Sequence, residues 1–343
     1  MTKRLTPLIF KISQFNPQLT DYVTTIASMY RDNAFHNFEH ATHVTMSTHK
    51  LLKRVVAPND DEDDDELNEY TYGLTSNPIT QFSLIFCALI HDVDHAGVSN
   101  FQLIQEDSPI ARLYEHRSVA EQNSIDISWD LLMDPSYSDL RKAIYKNEEE
   151  LSHFRQIVVN IVLATDIFDK HMKDIREKRW DKAFLYEHQY QPDEDLADAV
   201  KERDAPLTKT DGDQLKATIV MEHLVQASDI SHTMQHWDIY LKWNERLFQE
   251  MALAYEMGRA PKEPASVWYE GEMIFFDKYI IPLTKKLDEC GVFGVSSDEC
   301  LNYATQNRVL WVHSGEEIVE RFKKNYAAKK KKLMQNSNNN LFS

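Results

Sequence analysis

The feature that most constrains this chain is an apolar stretch, residues 79–90, that ends abruptly in titratable side chains. Its apolar residues recur at the three- and four-residue spacing of an α-helix, and it leads directly into His91, Asp92, Asp94 and His95. Burying these four groups at the end of an apolar helix costs several kcal/mol unless a partner compensates their charge. A bound cation is the simplest such partner, so the stretch predicts a buried helix with a cation site at its C-terminus.

Five further segments show the same helical spacing, and together they indicate the fold class. They cover residues 19–30, 39–52, 154–164, 215–228 and 237–255. Strand-like alternation is not sustained anywhere, and only eight glycines and eleven prolines are available for tight turns. We therefore expect an all-α protein, a compact single-domain multi-helix bundle.

The polar segments between these helices indicate how the chain is divided. Three of them, near Asp63, at residues 189–213 and at residues 258–266, are expected to be surface loops. None is long enough, or poor enough in structure-forming residues, to require a domain boundary. We expect one domain over residues 1–323, followed by a basic and Asn-rich tail, residues 324–343, that is disordered.

The charge balance excludes some classes of partner. The formal net charge is −17, and residues 60–66 contribute seven acids to it. Because an acidic chain repels nucleic-acid backbones, and lysines cluster only after Phe322, we do not expect polymeric nucleic acid as a ligand. Three scattered cysteines and the lack of a long apolar run predict no membrane span and a reducing, cytoplasmic location. The chain could also be the cytoplasmic part of a larger signalling protein, fused to or regulated by another domain.

Histidines and aspartates cluster at the spacing that metal sites use. His36 and His40 are four residues apart in HNFEHATH, which places them on one face at the start of a predicted helix. A third apolar segment ends in Asp229. Imidazole with carboxylate suits zinc, and carboxylate-rich coordination suits magnesium or manganese, so with His91 and Asp92 these residues predict a site for two divalent ions. The alternatives are buried structural histidines, helix-capping aspartates and a surface histidine patch.

These segments resemble the motifs of a known family, the class I cyclic nucleotide phosphodiesterases. The matching segments, in chain order, are HNFEHATHV, HDVDHAGVSN, VLATDIFDKH, ASDISH and FFDKYIIPL. The resemblance implies a deep pocket that holds Zn²⁺ and a second divalent ion, Mg²⁺ or Mn²⁺. The zinc ligands that it implies are His40, His91, Asp92 and Asp229, with Asp92 also contacting the second metal. The residues that match partners of the metal-bound waters are His95, Glu121 and Thr165.

The resemblance also implies a reaction, hydrolysis of the 3′,5′-cyclic phosphate of cAMP or cGMP to a 5′-nucleoside monophosphate. A water that bridges two cations loses a proton near neutral pH, and the hydroxide attacks phosphorus while the metals hold the phosphate oxygens. The ribose 3′ oxygen is a poor leaving group and needs a proton donor. His36 matches the family's general acid, and Glu250 matches the carboxylate that orients this histidine and keeps it protonated.

The implied purine site contains one important departure from the family. Phe275 matches the aromatic clamp, but Glu272 occupies the position of the glutamine that reads the base. Leu247 and Met251 match apolar residues of the pocket, although core packing would explain them equally, and His232 replaces an asparagine near the base. An ionised carboxylate only accepts hydrogen bonds, which favours the adjacent N1–H and N2–H of guanine, so we expect cGMP to be used at least as well as cAMP. If burial protonates the carboxyl, both bases are tolerated.

Two other functions fit the same residues. Another HD-type metal phosphohydrolase, acting on nucleoside monophosphates or triphosphates, would use the same metal ligands, but the metal motifs lack a lysine or arginine cluster to hold a triphosphate. A catalytically idle nucleotide-binding module would explain Glu272 and also Ile274, which stands where a glycine is usual. Such a module would not need the intact set of metal ligands.

Overall fold

The computed structural model describes residues 2–55, 71–72, 74, 77–185, 209–293 and 298–341. Within these ranges the regular secondary structure is entirely helical, which confirms the expected all-α class. The α-helices are α1 (Thr2–Met29), α2 (Phe38–Leu52), α3 (Pro78–Ile90), α4 (Asn100–Gln105), α5 (Pro109–Leu113), α6 (Val119–Met133), α7 (Ser138–Ile144), α8 (Glu148–Ala164), α9 (Lys170–Trp180), α10 (Lys209–Asp229), α11 (Trp237–Glu256), α12 (Trp268–Phe275), α13 (Ile281–Glu289) and α14 (Asp298–Leu341). None of the described helices is long and apolar enough to cross a membrane.

The six segments with helical spacing lie in α1, α2, α3, α8, α10 and α11, to within one residue. The predicted loop at residues 258–266 is irregular and closes with a 3₁₀ turn, Pro264–Ser266. The predicted loop at residues 189–213 is partly wrong, because residues 209–213 form the first turn of α10. The remainder of that loop and the acidic stretch near Asp63 lie outside the described residues.

The C-terminal segment also differs from the expectation of a disordered tail. The last helix, α14, continues without a break to Leu341. Phe322 is fully buried with its ring 5.7 Å from that of Phe248, and Asn325 and Tyr326 donate hydrogen bonds to glutamates of α11. Lysine is a good helix former, so a lysine-rich segment that gains these contacts remains helical.

The core lies between α2, α3, α8 and α10. The helix α2 packs against both α3 and α10, and α3 packs against α8 as well. These neighbours enclose most of α3, and its residues Leu84, Phe86 and Ile90 are buried. On the outer side, α14 packs against α11, α12 and α13. The helix that ends in HDVDH is therefore the central helix of the bundle.

Caps and a left-handed turn determine where the histidine segments emerge from the core. Asn37 caps α2 by accepting a hydrogen bond from the backbone N–H of His40 at 3.1 Å. Asn33 donates to the carbonyl oxygens of His36 and His95, at 3.0 and 2.7 Å, and so joins two loops. Gly97 has φ +68°, and a Cβ atom there would lie 3.0 Å from the Asn33 side-chain oxygen. The two histidine loops are thereby held together at one end of the bundle.

Candidate metal and catalytic site

The four residues predicted as metal ligands come together where α2, α3 and α10 meet. The Nε2 atom of His40 lies 3.0 Å from Oδ1 of Asp229 and 3.7 Å from Oδ2 of Asp92. The Nε2 atom of His91 lies 3.1 Å from Oδ2 of Asp92 and 3.4 Å from Oδ1 of Asp229. Ligand atoms from three distant segments of the chain therefore surround one point, and both histidines are buried.

Three buried atoms of this cluster, Nδ1 of His40, Nε2 of His91 and Oδ2 of Asp92, have no hydrogen-bond partner among the residues that the structure describes. Nδ1 of His91 donates to the carbonyl oxygen of Ala88 at 3.0 Å, which leaves the Nε2 lone pair directed into the cluster. That Nε2 atom and Oδ2 of Asp92 are both buried and unpaired. Buried polar atoms without partners are rare, so their convergence fits a bound cation.

The charges of the cluster lead to the same conclusion. Burial raises the pKa of Asp92 and of Asp229, but the nearby imidazoles outweigh it and lower both values below the usual range. Burial lowers the pKa of His91, but the carboxylates, Asp92 first, outweigh it and raise the value well above the usual range. Two ionised, half-buried carboxylates thus lie beside two buried imidazoles, and their charge is balanced either by protons on the imidazoles or by a divalent cation.

His36 lies beside the ligand cluster and is held by Glu250 of α11. Oε1 of Glu250 lies 2.5 Å from Nδ1 of His36, and Oε2 accepts the backbone N–H groups of Phe35 and His36 at 2.7 and 3.0 Å. Burial lowers the pKa of His36, but the charges of Glu250 and of the ligand aspartates outweigh it and raise the value to about 9. Burial raises the pKa of Glu250, but its pairing with His36 lowers the value to about 2. The His36 imidazole is therefore protonated at neutral pH.

His95 packs against His36 in its neutral form. The two ring centroids are 3.9 Å apart. Nδ1 of His95 accepts the backbone N–H of Gly97 at 3.2 Å, and burial, followed by the charge of His36, lowers the pKa of His95 to about 4. Ligand-type atoms of His36, His95 and Glu250 lie within 4.8 Å of one another, as in a metal site. Nδ1 of His36 and Nδ1 of His95 already have hydrogen-bond partners. This trio is therefore better suited to holding a proton than a metal.

Glu121 and Thr165, predicted to bind metal-bound waters, belong to neighbouring polar groups. The side-chain amide of Asn100 donates to Oε2 of Glu121 at 2.8 Å and to Oδ2 of Asp166 at 3.1 Å. Burial, followed by the charge of Asp166, raises the pKa of Glu121 to about 8. The Thr165 hydroxyl donates to the carbonyl oxygen of Val162 at 2.8 Å. Asn100 thus bridges two carboxyl groups that would otherwise repel each other.

His232, predicted near the base, packs close to Trp243, whose ring also packs against His40 of the ligand cluster. The Trp243 ring is 5.5 Å from that of His40 and 6.3 Å from that of His232, centroid to centroid. Phe35 packs edge-on against His232 at 5.6 Å. Burial, followed by the charges of His40 and His43, lowers the pKa of His232 to about 3. His232 is therefore a neutral residue that packs, through Phe35 and Trp243, behind the predicted ligand His40.

Glu272 is buried and held by two donors from α11. The Tyr240 hydroxyl donates to Oε2 of Glu272 at 2.7 Å. The Trp268 indole N–H donates to the side-chain oxygen of Asn244 at 3.0 Å, which leaves the amide N–H₂ of Asn244 to donate to Glu272. Burial raises the pKa of Glu272 to about 7, although both hydrogen bonds oppose the shift. The carboxyl group is therefore oriented by the protein and titrates near neutral pH.

The other predicted pocket residues lie on α11 and α12. Phe275 is half-buried and stacks on Tyr279, with ring centroids 5.4 Å apart and planes 9° from parallel. Leu247 and Met251 are also half-buried. They follow Tyr240 by seven and eleven residues, so helical geometry places them on the face of α11 that carries this tyrosine. The structure thus aligns Leu247 and Met251 with the group that orients Glu272.

Comparison with known proteins identifies the family. The family model described as 3′5′-cyclic nucleotide phosphodiesterase matches residues 35–290, which contain the four predicted ligands, His36 and Glu250. The chain belongs to this family. The match also covers Glu272 and Phe275, so the predicted metal site and the predicted purine site both lie inside the matched region.

Several curated phosphodiesterases are similar in sequence to this family member. The probable 3′,5′-cyclic-AMP phosphodiesterase pde-4 of Caenorhabditis elegans is 28% identical over 234 residues, which cover 68% of this chain and 29% of the relative. The cGMP-specific 3′,5′-cGMP phosphodiesterase 3 of Dictyostelium discoideum is 23% identical over 305 residues, which cover 87% of this chain and 56% of the relative. The chain thus spans between about a third and just over half the length of these two relatives.

A solved structure with the same fold is the phosphodiesterase domain of the Salpingoeca rosetta rhodopsin phosphodiesterase. It superposes with a TM-score of 0.65 and is 20% identical in sequence. The alignment covers 94% of this chain and 88% of that domain. The all-helical architecture described above is therefore that of a phosphodiesterase domain.

Sequence reasoning missed several residues that shape the site of this phosphodiesterase-family chain. Asn100 and Asp166 lie inside the quoted motifs HDVDHAGVSN and VLATDIFDKH, so their position next to predicted site residues was an available signal. Trp243, Tyr240 and Asn244 lie on α11 outside the quoted motifs. Only their helical spacing relative to Glu250 and Leu247 could have indicated them.

Proposed function

We propose that this chain hydrolyses 3′,5′-cyclic nucleotides to 5′-nucleoside monophosphates. The observation that carries the proposal is the convergence of two buried, unpaired atoms, Nε2 of His91 and Oδ2 of Asp92, next to a protonated His36. Membership of the cyclic nucleotide phosphodiesterase family supports it, as do relatives named for cyclic AMP and cyclic GMP.

We assign the metal-holding role to His40, His91, Asp92 and Asp229. Two imidazoles and two carboxylates suit Zn²⁺, and a carboxylate shared through Asp92 suits Mg²⁺ or Mn²⁺ as the second ion. Divalent ions bound there would polarise the phosphate and lower the pKa of a water. We propose that three residues outside this ligand set orient the waters bound to the metals. They are His95, Glu121 and Thr165.

His36 is proposed to protonate the departing ribose 3′ oxygen. Its Nδ1 proton is held by Glu250, so the Nε2 proton is the one available to a leaving group. Glu250 is fixed in turn by two backbone N–H groups, which prevents it from following the imidazole away from the site. Loss of the Nε2 proton leaves a neutral imidazole that Glu250 still orients.

Glu272 is proposed to read the base, with Phe275 as the clamp and with Leu247, Met251 and His232 around it. Because Tyr240 and Asn244 both donate to Glu272, the lone pairs that remain on its carboxylate can only accept. Guanine offers two adjacent N–H donors, whereas adenine presents one amino group beside a lone pair. We therefore expect cyclic GMP to be used at least as well as cyclic AMP.

The two alternative functions find less support in the contacts of the site. A triphosphate hydrolase needs free cations near the metals, but Arg31 pairs with Asp94, and Arg176 donates to the carbonyl oxygens of Ala164 and Asp166. Ile274 does not support a catalytically idle module, because its side chain is 61% exposed and does not narrow the pocket.

A substrate panel tests the proposal directly. Initial rates are measured on cAMP, cGMP, ATP and bis(4-nitrophenyl) phosphate, with and without 1,10-phenanthroline. We expect chelator-sensitive hydrolysis of the cyclic nucleotides to exceed that of ATP. Faster cleavage of ATP would favour the triphosphatase, and a metal-loaded protein that cleaves none of the four would favour the idle module.

A further inference from the structure

We propose that the C-terminal part of α14 is a binding surface for an anionic lipid bilayer. From Lys323 to the end, the sequence contains six lysines and no acidic residue, in a chain whose net charge is −17. The lysines are Lys323, Lys324, Lys329, Lys330, Lys331 and Lys332. This reversal of charge lies on a single helix and is independent of the catalytic site.

The helix is held in place by part of its own lysine set. Lys329 donates to the side chain of Gln249 at 2.9 Å, and Lys330 donates to Glu256 at 2.8 Å. Asn325 donates to Glu245 at 2.9 Å from the same side of the helix. These contacts dock α14 along α11, so the opposite side of α14 is presented as a fixed surface.

Three lysines of this segment are free. Lys324, Lys331 and Lys332 are exposed and form no ion pair or hydrogen bond with any residue that the structure describes. Lys324 and Lys331 are seven residues apart, which is nearly two helical turns, and Lys332 lies about 100° further round the helix. Their ammonium groups therefore spread over an arc of about 100° of the helix surface. We call Lys324, Lys331 and Lys332 the basic face.

Apolar side chains border the basic face. Met334 is 57% exposed and Tyr255 is 41% exposed. Both line a groove of about 640 Å³ between α14 and α11, in which Glu256 and Glu263 pair with Lys330 and Lys323 and leave Lys331 as the unpaired cation among the described residues. Cations beside exposed apolar and aromatic side chains match a bilayer, which offers anionic headgroups above an apolar layer. A nucleic-acid backbone would be met by the cations alone.

Sedimentation with lipid vesicles tests the proposal on the full chain. The vesicles contain either phosphatidylcholine alone or phosphatidylcholine with 30% phosphatidylserine. We expect retention only on the phosphatidylserine vesicles at 0.1 M salt, and its loss at 1 M salt, where the screening length falls from about 10 Å to about 3 Å. Each lysine near the surface of an anionic bilayer raises the membrane partition coefficient roughly fivefold. The triple variant Lys324→Gln, Lys331→Gln, Lys332→Gln should therefore bind the vesicles about a hundredfold less tightly.

The matched control replaces three exposed lysines elsewhere, Lys53→Gln, Lys178→Gln and Lys285→Gln, and should bind as the unaltered protein does. Equal thermal midpoints of both triple variants, measured by circular dichroism, establish that folding is unchanged. Equal retention of the two variants would overturn the proposal. Binding of the unaltered protein to single-stranded DNA but not to vesicles would also overturn it. A salt-sensitive self-association that only the basic-face variant loses would overturn it as well.

Discussion

Replacing Glu250 by glutamine removes one charge from the proposed catalytic site at nearly constant size. The amide oxygen still accepts the backbone N–H groups of Phe35 and His36, which Oε2 of Glu250 now accepts at 2.7 and 3.0 Å. The amide N–H₂ then faces Nδ1 of His36 in place of Oε1, and Nδ1 can accept it only when the imidazole is neutral. The variant therefore removes both the charge and the acceptor that hold the Nδ1 proton. Because that charge helps to raise the pKa of His36 to about 9, the variant tests what keeps the proposed acid protonated.

The expected loss follows from the protonated fraction of His36. With a pKa of about 9, nearly every His36 carries its proton at pH 7.5. At an ordinary histidine pKa of about 6.5, only about a tenth does. Burial, which lowers the pKa of His36, reduces that fraction further. We therefore expect kcat at pH 7.5 to fall about 10–100-fold in Glu250→Gln.

The pH profile separates this effect from a structural one. A proton donor works below its pKa, so activity declines as pH rises through the pKa of His36. The alkaline limb of kcat should therefore move from near 9 in the unaltered enzyme to about 7 or below in Glu250→Gln, and lowering the pH to 6 should restore part of the activity.

The assay is kcat between pH 5.5 and 9.5 on cAMP and cGMP, with bound zinc measured by mass spectrometry. The exposed Glu270→Gln on α12 is the matched control and should keep the original profile. Bis(4-nitrophenyl) phosphate, whose leaving group needs no proton, should lose less activity than the cyclic nucleotides. An unmoved alkaline limb, or equal losses on both substrate types, would refute the reasoning.

Three further predictions concern the remaining site residues. His36→Ala should lose roughly 10²–10⁴-fold in turnover while keeping zinc, and the loss should be smaller on the nitrophenyl ester; equal losses would exclude the acid role. Asp229→Ala should abolish turnover and lower bound zinc, with the exposed Asp174→Ala as control; full zinc with full turnover would show that the ligand is misassigned. Glu272→Gln should shift the kcat/KM ratio toward cAMP. In the unaltered enzyme the preference for cGMP should weaken as pH falls below the Glu272 pKa of about 7, because a protonated carboxyl can donate to adenine N1. A strong preference for cAMP that the substitution leaves unchanged would show that Glu272 does not read the base.

The errors of sequence reasoning share one physical cause. Residues 209–213 and 324–341 were predicted as loop and tail because polar, lysine- and asparagine-rich segments lack an apolar stripe of their own. The structure makes both helical, and in α14 the contacts of Phe322 and Tyr326 with α11 replace the missing stripe. Such contacts depend on a partner helix, and a local pattern does not contain that partner.

The sequence by itself determined the helices of the core and the residue types of the His and Asp cluster at their ends. Helical spacing is a local property, so the end of α3 at Ile90 and the sudden appearance of His91 and Asp92 could be read directly. The same spacing placed Asp229 at the end of α10.

Only the tertiary structure decided which distant groups act on one another. Glu250 meets His36 across 214 residues, and Tyr240 meets Glu272 across 32. These contacts arise because α11 contacts both the loop that carries His36 and the helix α12 that carries Glu272. The pKa values of His36 and Glu272 follow from burial and neighbouring groups at those contacts. Residue spacing sets which groups a helix carries, but packing sets their protonation, because burial and neighbouring charge exist only in the folded chain.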